Sequence, residues 1–144
     1  MEPTHTSVTT LDRRTCLELL AAGGLGRVAL SYQALPVVLP IEFTFLDTNI
    51  VFIAAAGSIL ERATNRTVVA FEIDGLDLDG TTAWSVNVIG EAEHLGTTAT
   101  KPLEPLRLSK PPVLLADQVI SLHAEHVTGQ RWATQVGPSR DPVA

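Results

Sequence analysis

"AWSVNVIGEAEHL", residues 83–95, is the longest run in the chain that alternates like a strand. Trp84, Val86 and Val88 fall on one face and Ser85, Asn87 and Ile89 on the other, because successive side chains of an extended backbone point to opposite sides. Gly90 predicts a bulge or bend within it. Upstream, "DGLDLDGTT" is a polar, acidic loop, and "TVVAFEID", "IVFIAAA", "VVLPIEFTF" and "GRVALSY" are further strands separated by the turns "DTN" and "QALP". Val37, Leu39, Ile41, Phe43 and Phe45 share one face of the third of these; Pro40, which cannot donate a ladder hydrogen bond, predicts an edge or bulge there. Downstream, residues 96–112 hold four of the nine prolines and predict a long connection with one short helical piece around 103–108. "QVISLHAEHV" is the last strand, followed by "TGQRWA". Near the start, Thr10 is placed to cap a helix with Asp12 in its first turn, Leu11, Cys16, Leu19 and Leu20 along one side, and Gly23 and Gly24 at its end. Six strands with two short helices predict an antiparallel barrel or closed sheet, since helices do not alternate with every strand as a parallel α/β fold requires.

The chain has 144 residues, 45% of them hydrophobic, which suits one domain around a single core. That domain is expected over residues 11–136, with residues 1–10 and 137–144 loosely ordered. Ten basic against sixteen acidic residues leave a net charge of −6 without any basic stretch, so nucleic acid is not an expected partner. Cys16 is the only cysteine, has no internal disulfide partner, and reads as a small buried hydrophobe in a reducing, cytoplasmic protein. The N-terminus lacks the pattern of a signal peptide, and the longest apolar stretches stop short of a membrane span.

Chemistry is sparse in the pattern. In "AAAGSILERATNR", residues 54–66, Ser58 and Glu61 have the spacing of a capping box: Ser58 Oγ accepts from the Glu61 N–H, and the Glu61 carboxylate reaches back to the Ser58 N–H. The same segment also reads as an anion site, with a helix N-terminus, Gly57 for close approach, and Arg62 or Arg66 for charge. His123 and His126, three apart in one strand, point to opposite faces, and without a cysteine partner or an HExxH motif no metal site is expected. Asp74, Asp77 and Asp79 lack the full calcium-loop spacing. Neither a nucleophile elbow nor a glycine-rich phosphate loop occurs. Trp84 and Trp132 suit either stacking on a flat ring or filling a small barrel.

Taken in order, "GRVAL", "LPVVLPIEF", "IVFIAAAGSIL", "VVAFEID", "WSVNVIGEAEHL" and "HAEHVTGQRW" resemble the blocks of the pyridoxamine 5′-phosphate oxidase-like, FMN-binding split-barrel family. The resemblance is closest to its short actinobacterial-type branch, which includes nitroimidazole-resistance-like proteins, and covers residues 11–132. It implies a mainly β protein, a six-stranded antiparallel split β-barrel with a few short helices, that forms a homodimer with two flavin sites built from both chains. It implies an FMN-dependent oxidoreductase acting on a small organic molecule. Pro40, Ile41, Glu42 and Phe43 would lie beside the isoalloxazine, Gly57 and Ser58 would meet the phosphate, and Trp84, Ser85, Val86, Thr128, Gln130 and Trp132 would complete the pocket. Where the family usually carries Lys after that serine, this chain has Ile59, which leaves Arg62 or Arg66 to supply the charge. No basic cluster for a second phosphate is present, which argues against vitamin B6 oxidation. Two alternatives share the fold: a reductase using the deazaflavin F420, and a cofactor-free dimeric binding module, which Ile59 supports. No side chain stands out as a catalytic acid or base; His126, Glu42 and Tyr32 are those able to face the pocket.

Overall fold

A computed structural model describes residues 7–96 and 117–134. Along the chain run β1 (Val8–Thr10), α1 (Arg13–Ala21), β2 (Gly24–Tyr32), β3 (Leu35–Leu46), β4 (Asn49–Ala54), α2 (Ile59–Ala63), β5 (Thr67–Leu76), β6 (Thr82–Gly96), β7 (Gln118–His123) and β8 (His126–Ala133). All the strand pairings are antiparallel. The β2–β3 and β3–β4 connections are two-residue hairpins in which both central residues have positive φ, Gln33 and Ala34 in one and Asp47 and Thr48 in the other. Such turns match the right-handed twist of the strands they join.

The long strand decides the architecture. Along one edge β6 pairs with β5 without interruption from Ala83 to Ala92. Along the other, its first part, from Thr82 to Ile89, pairs with β8, and its last part, from Ala92 to Gly96, pairs with β7. The ring β6-β5-β2-β3-β4-β7 thereby closes on itself into a six-stranded barrel, while β8 and β1 splay away from it. Gly90 sits at the handover, but not in a bulge: it keeps register opposite Val69, and the register shift falls between His94 and Gly96. Its role is close approach, since a Cβ there would lie 3.1 Å from Leu122 Cδ1 and 3.2 Å from the His123 carbonyl oxygen.

The C-terminal run also departs from expectation. "QVISLHAEHV" is two strands, broken at Ala124 and Glu125, and "TGQRWA" belongs to the second. The Ala124 N–H donates to the Thr48 carbonyl at 2.9 Å, which anchors the break to the β3–β4 hairpin. His123 and His126 therefore end one strand and begin the next. Val8–Thr10, expected to be loose, pairs with β8 from Val8 opposite Trp132 to Thr10 opposite Gln130. With Thr10 in a strand, Asp12 caps α1, and its carboxylate accepts from the Thr15 N–H at 2.8 Å. Hydrogen bonding from Thr15 holds the Asp12 carboxyl below the usual carboxylate range. The helical piece expected around 103–108 and the C-terminal tail lie outside the described residues.

Val28, Phe52, Phe71, Val86, Val88, Ile120 and Leu122 fill the barrel interior, with Phe43 and Phe71 packed edge to face at 4.8 Å between ring centroids. Helix α1 packs against β8, β3 and β6 and contributes Cys16 and Leu20 to the same core. Burial pushes the Cys16 thiol up, in keeping with an apolar role. Arg13, at the start of α1, donates to the Ala124 and Glu125 carbonyls at 2.7 and 2.9 Å, which fastens the helix to the β7–β8 turn. Val37, Leu39, Ile41, Phe43 and Phe45 share the inner face of β3 as the alternation predicts. No helix among the described residues is long and apolar enough to cross a membrane.

Candidate functional site

Strand β3 pairs with β2 from Leu35 to Phe43 but with β4 only from Phe43 to Leu46. Residues 35–42 thus leave one edge without a strand neighbour among the described residues, and Pro40, with no N–H to donate, lies in that stretch. Directly opposed residues of antiparallel strands share a face. Pro40 faces Arg27, Arg27 faces Glu72, Glu72 faces Asn87, and Asn87 faces Thr128, which makes one polar row across four adjoining strands and onto β3. A neighbouring row runs from Asp74 through Ser85 to Gln130.

An ion cluster holds the middle of this outer face. Arg27 donates from Nε to Glu72 Oε2 at 2.7 Å, and its Nη2 lies 2.6 Å from the same oxygen and 2.9 Å from Asp74 Oδ2. One guanidinium thus serves two carboxylates. The Glu72 hydrogen bond raises the already high Arg27 value further, while burial, followed by hydrogen bonding with Asp74, pushes the Glu72 carboxyl up despite the arginine beside it. Around the cluster the face is apolar and open, with Leu25, Val38, Val68, Leu76 and Ile89 each more than half exposed.

The turn before α2 is built differently from the expected capping box. Ser58 Oγ does accept from the Glu61 N–H, at 3.2 Å. The Glu61 carboxylate, however, passes over Ser58 and takes the Gly57 N–H at 2.8 Å, because the Ser58 N–H already donates to the Ala55 carbonyl at 3.1 Å. Asp117, just before β7, accepts from the Ala56 N–H at 3.1 Å. A positive φ of 77° at Gly57 lets these amides turn outward together. Two of the chain's own carboxylates thus hold the Ala56 and Gly57 amides, while the Ile59 and Leu60 N–H groups have no acceptor among the described residues. Arg62 and Arg66 form no ion pair with a described carboxylate.

Of the residues expected to form a pocket, Pro40, Glu42, Ser85, Thr128 and Gln130 share the outer face. Ile41, Phe43 and Val86 instead point into the barrel and are buried, so only their backbone is open to a ligand. Trp84 is half-buried on the inner side, its ring lying where a Cβ on Gly75 would come within 2.7 Å, and Trp132 is half-buried opposite Ala83. Gly57, Ser58 and Arg62 lie at the α2 turn. The sequence pattern does not single out Arg27, Glu72 and Asn87, and it offers Asp74 only as part of an incomplete calcium loop. Their only signal was a polar side chain at some outward positions of β2, β5 and β6, which equally describes a solvated face. Two concavities lined by described residues lie elsewhere, one along Arg13, Leu17 and Ala21 of α1 and one between Asn49, Glu91, Glu93, Ser121, His123 and Glu125.

A six-stranded antiparallel barrel, closed by one long strand that changes partner midway, defines a split-barrel protein. The chain belongs to the pyridoxamine 5′-phosphate oxidase family, whose pattern matches residues 12–131. It is 35% identical to the uncharacterized protein Rv0080 of Mycobacterium tuberculosis, over 94% of this chain and 90% of that one. Its fold is similar to that of an FAD binding protein from Mycobacterium smegmatis, with a TM-score of 0.67, 26% identity, and coverage of 87% of this chain and 98% of the other. The fold also matches a protein from Bacteroides thetaiotaomicron described as a candidate for 5-nitroimidazole antibiotic resistance, at a TM-score of 0.64, 12% identity, and coverage of 92% and 94%.

Proposed function

We propose that this chain is a flavin-dependent oxidoreductase that holds FMN between two copies of itself and exchanges a hydride with a small organic molecule. The observation that carries this reading is the family match over residues 12–131, joined to the likeness to an FAD binding protein over nearly the whole of both chains. The cofactor performs the redox step, and the chain supplies position and electrostatics. The outer face supports the dimer, because five aliphatic side chains around the Arg27 cluster are exposed in the single chain and a second copy would cover them. The edge of β3 at Pro40, which has no strand neighbour among the described residues, offers backbone groups beside that face.

A second reading has one observation in its favour. The carboxylates of Glu61 and Asp117 at the α2 turn suit a dimeric binding module that carries no cofactor. An absorbance spectrum of the purified protein separates the two, repeated after incubation with FMN, FAD or F420 and removal of unbound ligand. A retained flavin band is the expected outcome; a retained deazaflavin band moves the activity to F420, and a colourless protein that retains none leaves the binding module.

A further inference from the structure

We infer that the outer face built around Arg27, Glu72 and Asp74 joins two copies of this chain with uptake of one proton per cluster, so that the dimer tightens as pH falls. The inference rests on the dimer proposed above and names what regulates it. One guanidinium serves two carboxylates, its Nη2 lying 2.6 Å from Glu72 Oε2 and 2.9 Å from Asp74 Oδ2. The cluster therefore carries one negative charge in excess. In the single chain solvent stabilises that charge, since the Asp74 side chain is 56% exposed. Leu25, Val38, Val68, Leu76 and Ile89 surround the cluster on β2, β3, β5 and β6, so a second copy that covers them also takes the solvent away.

That second copy brings no cation of its own to meet the charge. Strands β2, β3, β5 and β6 contain no lysine or arginine besides Arg27. The neighbours in the two polar rows, Pro40, Asn87 and Thr128 in one and Ser85 and Gln130 in the other, are uncharged. The other titratable groups of this face are Glu42 opposite Leu25, Glu91 opposite Val68, and His126 opposite Ile89. Two of these add negative charge, and His126 stands on β8, two strands away from Glu72. Of the helices packed on these strands, α1 holds Arg13 on the Ala124 and Glu125 carbonyls and Arg14 on Glu18, while α2 holds Glu61 on the Gly57 amide. Arg62 of α2 pairs with neither carboxylate of the cluster. A carboxylate cut off from water without a cation to itself gives up its charge by taking a proton. Burial, followed by hydrogen bonding with Asp74, already pushes the Glu72 carboxyl up in the single chain, so this pair is where the proton goes. With one proton from solvent between Glu72 and Asp74, Arg27 balances the remaining carboxylate and the cluster is neutral.

Sedimentation equilibrium of the full-length chain at constant ionic strength reads this uptake. The protonated cluster belongs to the dimer and is lost as pH rises, so the wild-type dissociation constant is expected to increase about tenfold or more from about pH 6 to about pH 8. Glu72→Gln and Asp74→Asn each remove the excess charge and leave Arg27 one carboxylate. Either variant is expected to keep, at the upper pH, the affinity that the wild type reaches only at the lower one. An ion pair with a structural role alone would instead lose affinity on either change. Glu18→Gln removes the same charge from an exposed site on α1 and is expected to keep the wild-type dependence, which separates the cluster from the net charge of −6. A wild-type dimer whose affinity is constant over this range overturns the inference, as does a dependence that survives both amide variants or one that disappears in His126→Gln. A wild type that sediments as a single chain at every pH defeats the dimer reading, and the inference with it.

Discussion

At Gly129 strand β8 and helix α1 come as near as side chains allow. A Cβ there would lie 2.5 Å from Cys16 Sγ and 3.1 and 3.2 Å from Leu11. Gly129→Ala therefore forces the helix outward or strains its packing, and overpacking of this kind costs about 1–3 kcal/mol. Urea denaturation reads the loss as a lower midpoint. Adding Cys16→Ala removes the sulfur that the new methyl meets, so the pair should be more stable than the sum of the two single changes. A strictly additive pair would show that the clash does not lie at the sulfur. The lone cysteine was legible as buried from its apolar surroundings in "LDRRTCLELL"; that its neighbour is a glycine more than a hundred residues away was not, because nothing in the local pattern encodes which strand a helix covers.

Among the elements, β6 carries the greatest burden, since it alone among the described strands pairs with three others. Its partner changes at Gly90, where an added methyl would meet both a leucine side chain and the His123 carbonyl. The carbonyl cannot retreat without bending β7. Gly90→Ala is expected to cost about 1–2 kcal/mol, and hydrogen exchange should show protection lost first in β7 and the end of β6, while the β2–β3 hairpin keeps its own. Uniform loss of protection would mean that the closure of the barrel does not depend on this position. The α2 turn illustrates the limits of pattern in another way. The S-x-x-E spacing correctly placed a cap, yet the carboxylate took the Gly57 amide rather than that of Ser58, because a turn hydrogen bond to Ala55 had already engaged the latter.

For the whole molecule, the exposed aliphatic face bears on the proposed dimer. Ile89 lies in a row with Ala70, Ala29 and Val38 on one side and His126 on the other. If a second copy covers this face, light scattering should give about twice the chain mass of 15.4 kDa for the wild type and a single chain for Ile89→Glu, with an unchanged circular dichroism spectrum. A wild type that runs as a single chain removes the dimer. Alternation of apolar and polar residues in β2 to β6 was enough to determine the strands, their inward faces and the antiparallel class, because a period of two is a local consequence of extended backbone. The hairpin turns were legible for the same reason. What only the tertiary structure decided is everything that depends on partners distant in sequence. Strand β6 divides its edge between β7 and β8, β1 joins β8, and Arg27 meets Glu72 and Asp74 across 45 and more residues. Asp117 reaches the amide of Ala56 from 61 residues away. Such pairings follow from closing one sheet around one core, a constraint on the chain as a whole that no short window of residues contains.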